Sequence, residues 1–161
     1  MSYAYNFAAY HVARGDEGRA RAMRQLGRSG TPLAVRPLLR GLGHMSKEVR
    51  TQAARGLGDG HFAEAVTPLV ETLNDSESDI RPEAAEALGK IGDNAVAHRL
   101  VEALGDHDQR VRASAALALG SLPAEEAAEA LLSALNGPFD RELFPTIAEA
   151  ATRRADLRVV E

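Results

Sequence analysis

The chain has no cysteine and no tryptophan, only two lysines, and just four phenylalanines and three tyrosines among 161 residues. Without cysteine there is no disulfide, no thiolate metal site, no iron–sulfur cluster and no cysteine nucleophile. With 4% aromatics against 30 alanines and 19 leucines, the interior is not built on large rings. Small and unbranched side chains of this kind favour helices that pack closely. No apolar run approaches the roughly 18–20 residues that cross a bilayer, so no membrane partner is expected. Met1 to Tyr10 has no basic start followed by an apolar stretch, so the expectation is a cytoplasmic protein without a secretory leader. An apolar share of 45% beside 26% charged residues is that of a globular chain, and the length suits one domain over residues 1–161.

What is present is a period. Leu-Gly stands at Leu26-Gly27, Leu57-Gly58, Leu88-Gly89 and Leu119-Gly120, each 31 residues after the last. Arg19, Arg50, Arg81 and Arg112 keep the same step, as do Ala22, Ala53, Ala84 and Ala115, and Leu38, Leu69, Leu100 and Leu131. Within one period, Val35, Leu38, Leu39 and Leu42 lie at i, i+3, i+4 and i+7, one stripe of a helix; Val49, Ala53, Ala54 and Leu57 form a second stripe. The glycine after each leucine is expected to cap that second helix in the left-handed region. Asn74-Asp75-Ser76 and Gly105-Asp106 carry turn chemistry. Helices this short are marginal alone, so burial must come from stacking neighbouring units. Five units are predicted, at about 3–30, 31–61, 62–92, 93–123 and 124–153, with an unassigned tail at 154–161; the result is an all-α, right-handed solenoid.

Asp-x5-Arg (Asp75 to Arg81, Asp106 to Arg112), Ala-Ala-x-x-Leu-Gly after the arginine and Pro-Leu in the preceding helix resemble the HEAT repeat. The 31-residue length is similar to its short subclass, named after phycobilisome lyases. The resemblance implies that the Val-Arg helices line a concave face and the Pro-Leu helices a convex one. It also implies a structural ladder in which Asp75 pairs with Arg81 and Asp106 with Arg112. His44 replaces the corresponding aspartate of the second unit, leaving Arg50 in need of another acceptor. The subclass includes bilin lyases, metal hydroxylases and plain adaptors, so function has to be argued from the surface.

Chemistry is sparse. The histidines are followed by Val12, Met45, Phe62, Arg99 and Asp108, never by glutamate, and no His-x3-His or His-Glu-x-x-His occurs. There is no Gly-x-Ser-x-Gly elbow and no phosphate loop. The expectation is therefore no catalytic residue, no metal and no cofactor. Mapping the second helices onto the concave face gives three columns: Arg21, Gln52, Glu83 and Ser114; Arg24, Arg55, Glu86 and Leu117; Arg28, Asp59, Lys90 and Ser121. This face is basic in its first two units and turns acidic in the third. A long phosphate backbone wants an unbroken basic stripe, which argues against nucleic acid.

Residues 1–60 carry +6 and residues 61–161 carry −10. Arg21, Arg24 and Arg28 lie on one helix face, and their mutual repulsion returns nothing to the fold. Guanidinium forks suit carboxylates. The reading is a non-catalytic protein-binding adaptor, regulatory within a larger assembly, whose partner-binding concave face comprises Arg21, Arg24, Arg28, Gln52, Arg55, Glu83 and Glu86, with the arginines of the first two units gripping an acidic segment. The alternative is an accessory subunit of a bilin lyase or related enzyme, and the third reading is nucleic-acid binding by the basic N-terminal repeats. Tyr3, Phe7 and Tyr10, at i, i+4 and i+7, are an aromatic face that either caps the solenoid or makes an end-on contact, including self-association.

Overall fold

The computed structural model describes residues 15–123, 125–136 and 143–158. Among them lie nine α-helices: α1 (Gly15–Ser29), α2 (Val35–Leu42), α3 (Lys47–Asp59), α4 (Val66–Asn74), α5 (Arg81–Ile91), α6 (Ala97–Ala103), α7 (Gln109–Ser121), α8 (Glu125–Asn136) and α9 (Phe144–Arg158). No strand occurs among the described residues. The odd-numbered helices form one layer and the even-numbered helices the other. Three of the even helices are entered through a 3-10 turn, at Pro32–Ala34, Ala63–Ala65 and Asn94–Val96. Pro37 and Pro68 then sit in the first helical turn, where a missing N–H leaves no helix hydrogen bond unmade.

The core lies between the layers. Leu38, Leu69, Leu100 and Leu131 from the even helices meet Leu26, Leu57, Leu88 and Leu119 from the odd ones, and all eight are buried. The 31-residue step thus places equivalent side chains at equivalent depths. Each odd helix also packs on the next odd helix.

The Leu-Gly glycines do not cap helices. They are interior positions at which consecutive odd helices cross. A methyl group on Gly27 would stand 2.3 Å from the Cα of Gly56, on Gly58 2.8 Å from that of Ala87, on Gly89 2.6 Å from that of Ala118 and on Gly120 2.8 Å from that of Ala150. These are backbone-to-backbone approaches, and side chains would hold the helices apart. Left-handed caps fall instead on Gly30 (φ 58) and Gly92 (φ 77). Consecutive odd helices thus approach one another at backbone distance, and this inner layer is the one that the resemblance places on the concave face.

The ladder pairs differently from the expectation. Arg81, buried, forms its ion pair with Asp106 of the following unit, and its Nη2 lies 3.2 Å from His107 Nε2. Asp75 is exposed; its carboxylate accepts the backbone N–H of Glu77 and closes its own turn. Arg112 reaches Asp106 through the backbone carbonyl at 2.9 Å and donates to that of His107 as well. Arg50 finds its acceptor in Asp79, with Nη2 2.8 Å from both carboxylate oxygens, and also donates to the carbonyls of His44 and Met45. Arg50 and Arg81 therefore join one unit to the next, while Arg50 and Arg112 also tie down the turn that precedes their own helix.

The hydrogen bond from Arg50, aided by its positive charge and opposed by partial burial, holds the Asp79 carboxyl below its ordinary value near 3.8. A carboxyl depressed in the folded state stabilises the fold above its unfolded pKa, and that contribution is lost as pH falls through the folded one. Arg50→Ala is thus expected to lower the melting temperature at pH 7 by a few degrees. The gap to wild type should narrow as pH drops below about 4. A gap unchanged down to pH 2 would place the effect of Arg50 in its carbonyl bonds alone.

Candidate functional site

The inner surface is made of the exposed sides of α1, α3, α5 and α7. Arg21, Arg24 and Arg28 are exposed on α1, and Arg55 is exposed on α3. Arg21 pairs with Glu17 one turn earlier on its own helix. Arg24 donates from Nε to Gln52 Oε1 at 3.0 Å, and the Gln52 amide donates to Glu48 Oε1 at 2.9 Å. Gln52, expected on the exposed column, is buried: it lies beneath Arg24 and braces it, so it is a support and not a contact residue. Arg55 Nη2 is 3.9 Å from Glu83 Oε1, an ion pair at the limit of contact. Arg28 makes no ion pair or hydrogen bond with a described residue and is the least committed of the four.

Past α3 the surface changes sign. Lys90 on α5 bridges Asp59 on α3 and Glu86 on its own helix, each at 2.8 Å. Burial disfavours its charge, but the two carboxylates outweigh that and raise its pKa above the ordinary value. Two acids and one base leave this cluster negative. Glu83 is largely buried, and its Oε2 has no hydrogen-bond partner. The bridge was open to a reading of the sequence, since Asp59 and Lys90 are one 31-residue step apart and such residues sit side by side on adjacent odd helices. Beyond it, between α5 and α7, the inner surface holds a cleft of about 230 Å³ lined by Glu86, Gly89, Lys90, Ser114, Leu117, Ala118 and Ser121. Residues of the three columns touch at Arg24 with Gln52, Arg55 with Glu83 and Lys90 with Asp59, and the cleft has no signature in the columns. Its floor is the crossing of α5 and α7, where Gly89 meets Ala118.

An open groove of about 710 Å³ lies on the opposite side, between α2 and α4 and the turns that follow them. Glu71, Asp75, Glu77 and Asp79 line it with His44, and Arg50 neutralises Asp79 there. Tyr3, Phe7 and Tyr10 lie outside the described residues. Among the described residues no cluster of histidine and carboxylate side chains has the arrangement of a metal site, and no helix is long and apolar enough to cross a membrane.

Helix pairs stacked at a fixed step in two layers define an α-solenoid. The chain matches the family model for HEAT repeats over residues 35–106 and 66–152, and it belongs to the HEAT-repeat family. No curated protein gives a significant match. Among solved structures it is similar to a chain of the complex of CpcE and CpcF of phycocyanin lyase from Nostoc sp. PCC7120. That similarity has a TM-score of 0.76 at 22% identity and covers 99% of this chain and 67% of that one. It is also similar to an engineered protein solved by a structural genomics consortium, with a TM-score of 0.63 at 24% identity, covering 94% of this chain and 78% of that one. At these identities the likeness concerns the fold.

Proposed function

We propose that the chain is a non-catalytic, single-domain scaffold that binds another protein on its inner face, with the arginines of α1 and α3 gripping an acidic segment of the partner. The carrying observation is the exposed set Arg21, Arg24, Arg28 and Arg55, in which Arg28 has no ion-pair partner among the described residues and Arg24 is held in place by a buried glutamine. A cation positioned by a rigid support loses little freedom on binding, so more of its attraction appears as affinity. Membership of the HEAT-repeat family supports a protein-interaction role, and so does likeness to a subunit solved in a two-protein complex. The same likeness favours a second reading, an accessory subunit of a bilin lyase or related modifying enzyme.

The test is affinity capture from native lysate at low and moderate salt, comparing wild type with Arg24→Glu/Arg28→Glu. A protein held by wild type, weakened by salt and lost from the variant is the expected result, with unchanged melting as the control for folding. Retention that ignores both salt and the variant would sink the electrostatic grip. Visible-range absorbance in the captured material would move the assignment to the second reading.

A further inference from the structure

We infer that the inner face reads a partner segment at two points in a set order: an acidic group over α1 and α3, then one aliphatic side chain seated in the cleft between α5 and α7. The inference rests on the scaffold reading above and adds to it the chemistry and polarity of the segment.

Three features of the surface carry it. The basic end is defined by Arg28 and Arg55, and the next positions along the stack, Asp59, Glu83 and Glu86, are acidic with one lysine among them. A uniformly anionic ligand is therefore attracted at one end and repelled in the middle, which excludes a nucleic-acid backbone lying along the whole face. The cleft beyond is different again. Leu117 and Ala118 give it an apolar wall, Gly89 lies at its floor, Ser114 and Ser121 put hydroxyls at its edge, and the mutually paired Glu86 and Lys90 line it too. Leu117 is only half-buried and stands in the column that carries arginine at positions 24 and 55, so an apolar residue replaces a cation on the same track. A small concave site with an apolar wall and a polar rim accepts one aliphatic side chain.

The spacing follows from the packing. Helices in contact through small residues lie about 8–9 Å apart, so Arg28 on α1 and the cleft past α5 are separated by about 20 Å. An extended segment covers that in about six residues and a helix in about 14.

The experiment is a selection of random 16-residue peptides on the immobilised full chain, followed by fluorescence anisotropy of the enriched peptides against wild type, Leu117→Asp and Arg28→Glu. All three proteins are first shown to melt alike. The expected peptides carry Asp or Glu and, about six or 14 residues away, Leu, Ile, Val or Met. Each substitution should weaken them about tenfold, the scale of one lost anchor. Binding that Arg28→Glu weakens and Leu117→Asp leaves intact would overturn the two-point inference while sparing the arginine grip. Binding indifferent to both substitutions would overturn both. Enrichment of basic peptides, no enrichment at all, or tighter binding of a single-stranded 16-mer oligonucleotide than of any peptide would also overturn the inference.

Discussion

Gly27→Ala is expected to destabilise the chain by about 2–4 kcal/mol, although alanine is the better helix former. The substitution gains roughly 1 kcal/mol of intrinsic helix propensity. Against that, the new methyl would stand 2.3 Å from Gly56 Cα and 2.7 Å from its carbonyl oxygen, both backbone atoms that no rotamer change can move. Relief requires α1 and α3 to separate, which loosens Met23, Leu26, Ala53 and Leu57, all fully buried. Overpacking against adjustable side chains costs about 1–3 kcal/mol, and against backbone the cost lies at or above the upper end. For a chain of this size that is a fall in melting temperature of about 5–15 °C. Gly105→Ala is the control: its nearest obstacle is a carbonyl oxygen at 3.5 Å, an ordinary contact, and its effect should stay within about 0.5 kcal/mol. Equal melting of the two variants would show that glycine does not set the spacing of the inner helices.

Arg81→Ala is expected to cost about 2–4 kcal/mol by urea denaturation. Arg81 and Asp106 have side chains only 8% and 15% exposed. Removing the guanidinium leaves the carboxylate with the Asp108 N–H at 2.8 Å and the His107 ring, whose Nδ1 is 3.5 Å away, and most of the desolvation of its charge is no longer offset. The cost is therefore dominated by the stranded acid. The double variant Arg81→Ala/Asp106→Ala should accordingly be more stable than Arg81→Ala alone, because the stranded charge has gone. A single variant within about 0.5 kcal/mol of wild type would show that the bridge is not part of the scaffold.

The fold was legible because a 3.6-residue stripe and a 31-residue step are one-dimensional signals. They place Leu38 and Leu57 in the core without any knowledge of the neighbour. The choice of ion-pair partner is not one-dimensional. Arg50 finds Asp79 and Arg81 finds Asp106, at separations of 29 and 25 residues, because Asp79 has Arg110 as its counterpart one unit later and the bridge must shift to another loop position. No single offset along the chain describes both. The glycines failed for a related reason: Leu-Gly near a helix end has the same letters whether glycine caps a turn or admits a neighbouring backbone, and only the stacked helix distinguishes them. At the candidate site, the columns specify a helix face but not the depth of each residue, so neither the burial of Gln52 nor the cleft beside Leu117 can be read from them.

The stacking step has a kinetic side. Each crossing on the inner layer joins residues 29 or 30 apart, as at Gly27 with Gly56 and Gly120 with Ala150. Every interface therefore closes a loop of the same size, and no contact waits on another to bring distant ends of the chain together. Folding can begin at any adjacent pair and spread outward in both directions, with a barrier set by the first pair and not by the number of repeats. An added or deleted interior repeat would change the equilibrium stability while leaving the rate of the first step nearly as it was.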